Sequence, residues 1–419
     1  MLDIIRPGDR PYEEVRHVYT ATGSPAAVIR PRTSAEVAEA LRLARDTGGP
    51  LAIRSGGHGI SSRATNDGGT VIDLAEMRSV ERIDPGDDLV RIGPGARWAE
   101  VARSLRPWGL AVSSGDSGGV GVGGLGTTAG IGLLGRAHGL TIDHMVAAEI
   151  VTADGQVRTV DAEHDPDLFW AVRGAGANVG IVTAMDFRAA RVPRVAHATL
   201  QFQVDRPAPF LEAWGATVEN APRELTAFAY LGSGGHAMAL IVYAGDDTEA
   251  AERAFAPFAD LAPLLGQRAV LVPYDAVLVG ARGPHYGQQT GHVRNGFAVH
   301  LDRPLSERLG TLLGSLPGAM LQVRAVGGAV NDVPADATAF AHRHQNFNVA
   351  AMTHAPTSLL DKAWEDVRPA LDGLYLSFES AFSPQRLADA FPPPTLHRLR
   401  EIKRKVDPDN VFHQNFPVA

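Results

Sequence analysis

Short hydrophobic and polar runs alternate over the first 190 residues of the chain. A capping box at Thr33 and Glu36 predicts a helix that ends at Gly48, and a second helix carries its apolar stripe between Trp98 and Leu105. Strands are predicted at Leu51–Ile53, Val71–Leu74, Leu89–Ile92, Glu149–Thr152 and Val157–Val160, the last two joined by an Asp154-Gly155 turn. This part of the chain therefore alternates short α and β elements.

The pattern changes from about Val195 to longer alternating strands, of which Thr199–Val204 and His236–Tyr243 are the clearest. A helix is predicted at Thr248–Leu261, and a basic amphipathic helix at Leu396–Val406 is stopped by Asp407-Pro408-Asp409-Asn410. Segments of this kind are typical of an antiparallel sheet covered by helices. The pattern therefore predicts a second domain of the α+β class.

Composition adds limits on chemistry. The chain has 419 residues, 45% of them hydrophobic, a formal net charge of −8 and no cysteine. The missing cysteine excludes disulfides, thiolate metal sites and thiol catalysis, so redox chemistry would need a bound cofactor. The charge offers no basic stripe for nucleic acid, and the first 20 residues lack the apolar core of a signal peptide. We therefore expect a cytoplasmic protein that binds neither nucleic acid nor membranes.

Glycine is concentrated where a ligand could approach the backbone. Nine of the eighteen residues from Gly118 to Gly135 are glycine, and Val, Leu and Ile lie between them, where a flexible linker would carry Ser. Gly121–Gly126 fits the G-x-G-x-x-G pattern, but so many glycines disfavour the long helix that a dinucleotide fold requires. Gly115–Gly119 imitates the surroundings of a serine nucleophile without the helix or upstream histidine that this chemistry needs.

A second candidate lies directly after the Leu51–Ile53 strand, in the loop Arg54-Ser55-Gly56-Gly57-His58-Gly59. Successive glycines expose N–H groups that can surround an anion, and His58 would project from a tight turn beside it. Taken alone, these residues fit an ordinary surface turn with an incidental histidine equally well.

Seven segments of the sequence occur in an order that is known from one family: 25–31, 54–59, 118–140, 151–155, 167–174, 178–183 and 405–412. With them, nearly the whole chain resembles the flavin-linked oxidases of the berberine bridge enzyme type, within the vanillyl alcohol oxidase superfamily. The resemblance implies a two-lobed α+β fold, with an FAD-binding domain at 1–195, a substrate domain at 196–374 and a segment at 375–419 that returns to the first domain.

The resemblance also implies which residues hold the cofactor. His58 would be bonded covalently to the 8α-methyl group of FAD, which fixes the ring and makes it easier to reduce. The remaining residues that would bind FAD are Arg54, Ser55, Gly56, Gly57, Gly59, Ile60, Ser61, Ser117, Val120, Gly121, Gly124, Leu125, Thr127, Thr128, Gly130, Ile131, Gly180, Ile181, Val182 and Asn415.

The chain departs from the family pattern at three positions. Ser117 replaces the cysteine that many members bond to flavin C6, so attachment is expected through His58 alone. His138 stands where plant members carry a tyrosine, and either His138 or Tyr375 could be the active-site base. Ser377 replaces the asparagine of the usual aromatic-x-Asn-aromatic motif, so its contact to the flavin or substrate is in question.

Further candidates lie on the predicted substrate sheet. Gln322 and Arg324 are two residues apart on one strand and so share a face, and the same spacing relates His342, His344, Asn346 and Asn348. We assign Gln322 and Arg324 to catalysis and His344, Asn346 and Ser377 to the substrate, although a solvent-exposed face would show the same alternation. His342 and His344 lack a third ligand at a useful spacing, so no metal site is predicted.

These observations lead to one functional hypothesis with two alternatives. We expect an FAD-dependent oxidase that moves a hydride from a small-molecule C–H bond next to O or N to the flavin, with O2 as oxidant and H2O2 as product. The alternatives are a flavin dehydrogenase that reacts poorly with O2 and a flavin-bearing protein that binds or sequesters a small molecule. A sugar, alcohol, amine or natural-product intermediate fits equally well as substrate.

Overall fold

In the computed structural model, residues 2–280, 287 and 291–419 are described. They form helices and mainly antiparallel sheets, so the predicted α+β class is confirmed. None of the helices in these ranges is long and apolar enough to cross a lipid bilayer.

The first sheet has four strands in the spatial order β1-β2-β4-β3. They are β1 (Asp3–Ile5), β2 (Ala27–Arg30), β3 (Leu51–Arg54) and β4 (Thr70–Asp73). β2 and β3 both run parallel to β4, so the loop after β3 leaves the sheet at the carboxyl ends of these strands.

Seven more strands follow before residue 192: β5 (Val80–Asp84), β6 (Leu89–Ile92), β7 (Leu110–Ala111), β8 (Met145–Val151), β9 (Val157–Asp161), β10 (Ile181–Arg188) and β11 (Ala190–Arg191). Five of them form an antiparallel sheet in the order β5-β6-β10-β8-β9, and β7 pairs with β11. The hairpin predicted from Asp154-Gly155 is present between β8 and β9.

The largest sheet of the described residues has seven antiparallel strands: β12 (Val195–Gln203), β13 (Leu225–Gly232), β14 (His236–Tyr243), β15 (Leu264–Val272), β16 (His292–Ala298), β17 (Met320–Ala325) and β18 (Phe347–Thr353). Their spatial order is β15-β12-β14-β13-β17-β18-β16. We call this the substrate sheet.

The helices are α1 (Tyr12–Val15), α2 (Ser34–Thr47), α3 (Trp98–Leu105), α4 (Val122–Gly126), α5 (Gly135–His138), α6 (Pro166–Ala175), α7 (Pro207–Asn220), α8 (Thr248–Ala259), α9 (Arg303–Ser315), α10 (Thr357–Glu365), α11 (Pro384–Ala390) and α12 (Pro393–Val406). The side chain of Thr33 caps α2, as predicted. The glycine run, where little helix was expected, forms the five-residue α4.

Two large apolar cores organise these elements. One face of the substrate sheet packs under α7, α8, α9 and α10, around Trp214, Phe258 and Trp364. The opposite face contributes Phe228 and Phe297 to a core that also contains Trp98, Met185 and Phe187 from the first part of the chain. The substrate sheet is therefore sandwiched between its own helices and the first part of the chain. The domain boundaries predicted at 195 and 374 remain a prediction.

Candidate active site

The loop after β3 starts from a fixed point. Arg54 is buried and donates from Nη2 to Asp73 Oδ2 at 2.8 Å, across the parallel β3–β4 pair. Its guanidinium is therefore used inside the first sheet, where it anchors the loop. Ser55 next donates to the carbonyl of Pro94 at 2.5 Å and accepts the N–H of Gly123 at 3.2 Å, which ties the loop to the glycine run.

The two predicted cofactor segments touch through their backbones. A Cβ added at Gly56 would lie 2.4 Å from the backbone nitrogen of Gly121, and one added at Gly121 would lie 2.1 Å from that of Gly56. Contacts under 3.0 Å between a Cβ and backbone do not occur, so both positions require glycine. The structure thus brings together residues that are 65 positions apart, and it explains the glycines at this crossing by close approach.

His58 is held at the outer side of this crossing. Its ring stacks on Tyr19, with the two ring centres 4.3 Å apart and the planes 18° apart. Gly57 precedes it with φ of +67°, a conformation that favours glycine, and the N–H of Tyr19 donates to the carbonyl of Gly57 at 2.9 Å. His58 is half-buried and Gly59 is exposed, so the imidazole is fixed in orientation next to an accessible backbone.

The C-terminal tail closes the far end of the loop. Ser61 donates to Oδ1 of Asn415 at 3.4 Å, and Arg63 donates to the carbonyl of Gln414 at 3.0 Å. The structure therefore brings Asn415 to the loop, and its contact with the flavin stays a prediction. Ile60 and Ser61 are half-buried beside it.

The glycine run presents both open backbone and anchored side chains. A Cβ at Gly124 would meet no atom within 4 Å, whereas Leu125 and Ile131 are buried in the core. Thr127 donates to the carbonyl of Gly123 at 2.7 Å, and the hydroxyls of Thr128 and Ser377 are 3.0 Å apart. Val120 is half-buried against the same core. Apolar side chains thus hold the run in place while its glycines leave room for a ligand.

These segments fit FAD as a ligand. The crossed glycine loops form a cradle with no side chains at Gly56 and Gly121 and open space at Gly124. At Gly180, which is also predicted to bind FAD, an added Cβ would lie 2.7 Å from the carbonyl oxygen of Val151, so Gly180 brings its own backbone close to β8. Ile181 and Val182 follow it at the start of β10, paired with β8. Within the described residues, no group of three or more His, Asp or Glu side chains is arranged to hold a metal ion.

A cluster of four polar side chains lies between the glycine run and the substrate sheet. Asp116, one residue before Ser117, accepts three hydrogen bonds at Oδ2: from Tyr230 Oη at 3.0 Å, Gln322 Nε2 at 3.3 Å and Arg324 Nη2 at 3.2 Å. Strand register explains this convergence, because Tyr230 on β13 is directly opposite Gln322 on β17 and the two share a face. Burial and the Asp116 carboxylate raise the pKa of the Tyr230 phenol, so Tyr230 acts here as a neutral donor.

Tyr375 contacts the glycine run through its side chain. Its phenol oxygen accepts the backbone N–H of Gly130 at 3.2 Å. Asn295 on β16 holds the Tyr375 backbone from both sides, since it accepts the N–H at 2.9 Å and donates to the carbonyl at 3.0 Å. Gln322 and Arg324 therefore face Asp116 from the substrate sheet, and Tyr375 contacts the glycine run at Gly130.

Three predicted residues, His138, His344 and Asn346, have their neighbours outside the Asp116 cluster. His138 ends α5 on the side where its charged neighbours are His144, Arg223 and Glu224, and burial followed by His144 lowers its pKa. Helix α5 is tied to the start of β13, where Nη1 of the Arg136 side chain donates to the carbonyl of Leu225 at 2.8 Å. We therefore take Tyr375 forward as the candidate base, and a role for His138 stays a prediction.

The expected shared face of His342, His344, Asn346 and Asn348 is wrong. β18 begins only at Phe347, so the first three residues precede the strand. His342 is buried with its Nε2 3.0 Å from the carbonyl of Ala390, whereas His344 is 64% exposed and paired with Asp372 at 2.6 Å. Asn346 accepts from Asn331 at 3.2 Å, away from the cradle. His344 and Asn346 therefore share no strand face, and their contact with a substrate stays a prediction.

Sequence reasoning missed Asp116, Tyr230, Tyr19 and Asn295. Asp116 stood inside the protease-like Gly115–Gly119 match, which drew attention to Ser117 instead. The available signal was its position next to Ser117, where many members of the family bond a cysteine to the flavin. Its partners could not be found by spacing, because they lie 114, 206 and 208 residues further along the chain.

Comparison with known proteins agrees with this geometry. A model described as FAD binding domain matches residues 25–161, and one described as berberine and berberine like matches residues 386–418. (R)-6-hydroxynicotine oxidase of Paenarthrobacter nicotinovorans is 36% identical over 194 residues, which is 46% of this chain and 42% of that protein. The uncharacterized FAD-linked oxidoreductase YgaK of Bacillus subtilis is 29% identical, over 93% of this chain and 90% of its own.

The fold is shared over the full length. The solved structure of wild-type Physcomitrella patens BBE-like 1 superimposes with a TM-score of 0.89 at 22% identity, and the match covers 100% of this chain and 97% of that one. The two family models match the segment that contains the crossed glycine loops and the C-terminal tail that contains Asn415. The chain therefore carries an FAD binding domain and a berberine-like C-terminal segment, and over 93% of its length it is similar to an FAD-linked oxidoreductase.

Proposed function

We propose that this protein is an oxidase that carries FAD bonded covalently to His58 alone and oxidises a small molecule at a C–H bond next to oxygen or nitrogen. The observation that carries the proposal is the fixed imidazole of His58, stacked on Tyr19 at the edge of the crossed glycine loops. Ser117 has no thiol, so a second bond of the cysteinyl kind is impossible at that position.

FAD, when bound, supplies the hydride acceptor and passes the electrons on to O2, which yields hydrogen peroxide. The chain itself supplies orientation and proton transfer. The backbone at Gly56, Gly121 and Gly124 would hold the cofactor, and the face of the substrate sheet that carries Gln322 and Arg324 would hold the substrate. Tyr375 is our candidate for the group that takes the substrate's proton, because its phenol reaches the glycine run at Gly130.

The covalent bond is tested by acid precipitation of the purified protein. We expect yellow colour to stay in the pellet for the wild type and for His236→Ala, a control that removes an exposed histidine from the substrate sheet. In His58→Ala, any bound flavin should be released into the supernatant. If the wild type releases all its flavin, or is purified colourless, the covalent attachment is wrong.

Reaction with oxygen is tested separately, by mixing the reduced protein with air in a stopped-flow instrument. Fast reoxidation with formation of H2O2 is expected of an oxidase, whereas slow reoxidation would favour a dehydrogenase. An anaerobic screen of sugars, secondary amines, aromatic alcohols and organic acids for flavin bleaching would then identify the substrate class. A ligand that binds without bleaching would favour a binding protein.

A further inference from the structure

Arg324 is a buried cation whose hydrogen-bonding capacity is only partly used. Its side chain is 2% exposed, and Nη2 donates to Asp116. Nε and Nη1 are buried and have no hydrogen-bond acceptor among the described residues. Burial of a charged donor without an acceptor costs free energy, because hydration is lost and nothing replaces it. Among the described residues, the hydrogen bonding of Arg324 is therefore incomplete, and a further acceptor is needed.

Asp116 does not complete it. One oxygen of this carboxylate, Oδ2, serves Tyr230 and Gln322 as well as Arg324, and the contact to Arg324 uses a single guanidinium nitrogen. A carboxylate that fully satisfied Arg324 would instead use two parallel hydrogen bonds. Asp116 thus fixes where the guanidinium lies and leaves two of its nitrogens for another partner.

The surroundings of Arg324 select the kind of partner. The guanidinium carbon is 3.7 Å from the centre of the Phe378 ring and 5.7 Å from that of Phe228, so aromatic rings lie against it. Phe378 directly follows Ser377, whose hydroxyl is 3.0 Å from that of Thr128 in the glycine run. A molecule that reaches Arg324 is therefore next to the proposed flavin site and in contact with aromatic walls.

We propose that Arg324 is a specificity-determining residue that binds a carboxylate or phenolate oxygen of the substrate, so that the substrates of this protein are small organic anions with an apolar or aromatic part. This inference rests on the proposed function, because it concerns the substrate of the same site. An anionic oxygen makes the stronger hydrogen bonds to a guanidinium, and the low local dielectric increases the gain. A cationic amine would meet the buried positive charge of Arg324 and is disfavoured.

The test is binding of matched probes to the purified flavin-loaded protein, measured by isothermal titration calorimetry. Benzoate is compared with benzamide, which has the same shape and no charge, and gluconate is compared with glucitol. We expect the wild type to bind at least one of the two anions more tightly than its neutral partner. In Arg324→Gln, that anion should bind about tenfold to 100-fold more weakly, with little change for the neutral probe.

Two further variants separate charge from shape. Arg324→Lys keeps the positive charge and should retain part of the preference for the anion. Asp116→Asn removes the competing negative charge but keeps an amide oxygen that can accept hydrogen bonds, so it should tighten binding of the anion. Opposite changes in Arg324→Gln and Asp116→Asn are not expected from a loss of folding, which would weaken both probes in both variants.

Several results would overturn the inference. One is a wild type that binds neither anion better than its neutral partner, and another is an Arg324→Gln variant that loses both probes equally. A third is a change in the flavin midpoint potential of Arg324→Gln with unchanged probe binding, which would mean that Arg324 serves the flavin. Acid precipitation and reoxidation of the same wild-type preparation show independently whether the proposed function itself has failed.

Discussion

At the scale of single residues, Tyr375 offers the sharpest test of chemistry. Tyr375→Phe keeps the ring between Phe340 and Phe378 and removes only the phenol oxygen that contacts Gly130. If this oxygen takes the substrate's proton, anaerobic reduction of the flavin by substrate should slow by about 100-fold or more. Stopped-flow absorbance at the flavin band, with a substrate found by the bleaching screen, measures this rate.

Tyr12→Phe is the matched control for that variant. Tyr12 is also buried, and its hydroxyl donates to the carbonyl of Pro25 at 2.8 Å, in the first part of the chain. Both variants should lose about 1 kcal/mol of unfolding free energy for one hydrogen bond. Equal rates of flavin reduction in Tyr375→Phe and Tyr12→Phe would exclude Tyr375 as the proton acceptor.

His342 is a residue whose role turned out to be structural. Burial lowers its pKa from 6.5 to about 4, and its neutral ring donates to the carbonyl of Ala390. The unfolded chain therefore binds one more proton than the folded chain between about pH 6.5 and pH 4, so stability falls as the pH falls through this range. The lowered pKa corresponds to about 2 kcal/mol lost between about pH 7 and pH 5.

Urea unfolding at the two pH values measures that loss. His342→Asn should be less stable than the wild type near pH 7, but its own loss on acidification should be smaller by about the same 2 kcal/mol. The other buried histidines contribute equally to both proteins and cancel in the comparison. An identical pH dependence in the two proteins would contradict the assignment.

At the scale of elements, the sequence predicted those helices and strands whose positions depend on a local pattern of apolar and polar residues. The strand at His236–Tyr243 and the helix from Trp98 to Leu105 have the predicted bounds, because alternation and a single apolar stripe are local signals. The segment from His342 to Asn346 has the same polar alternation but forms no strand, since His342 turns inward to stack on Phe297. A contact with a distant element therefore determines the conformation of this segment, and the spacing of residues does not predict such a contact.

The C-terminal segment is the element that completes the cradle, and Asn178 holds it. Asn178 donates to the carbonyl of Phe416 at 3.3 Å and accepts the N–H of Val418 at 3.1 Å. These two residues directly follow Asn415 in the tail, with one residue between them. Asn178→Ala removes both bonds from a buried site, so we expect the free energy that holds the tail closed to fall by about 1–3 kcal/mol. Hydrogen–deuterium exchange of residues 411–419 should increase, and flavin incorporation should decrease.

Asn220→Ala is the control for this prediction. Asn220 is exposed at the end of α7, and its side chain bonds only the carbonyl of Ala216 among the described residues. Exchange in the tail should be unchanged in this variant. If Asn178→Ala also leaves the exchange of the tail unchanged, other contacts hold Asn415 beside Ser61.

At the scale of the whole molecule, apolar packing and polar contacts connect the substrate sheet to the first part of the chain. Phe228 and Phe297 of the sheet share a core with Trp98 and Phe187, so the two parts are expected to unfold together. Asp116, two residues before the glycine run, is one of the polar links. It accepts hydrogen bonds from two neighbouring strands of the sheet.

Removal of this link should therefore destabilise the molecule without separating its parts. Asp116→Ala leaves Arg324 buried without its counter-charge and leaves Tyr230 and Gln322 without an acceptor, so we expect a loss of about 2–4 kcal/mol in a single unfolding transition. Asp116→Asn should lose less, because its amide oxygen can still accept.

Asp332→Ala, which breaks the exposed pair with Arg223, should change stability little. Scanning calorimetry distinguishes these outcomes. Two separate transitions in Asp116→Ala would mean that the carboxylate, rather than the shared apolar core, makes the two parts cooperative.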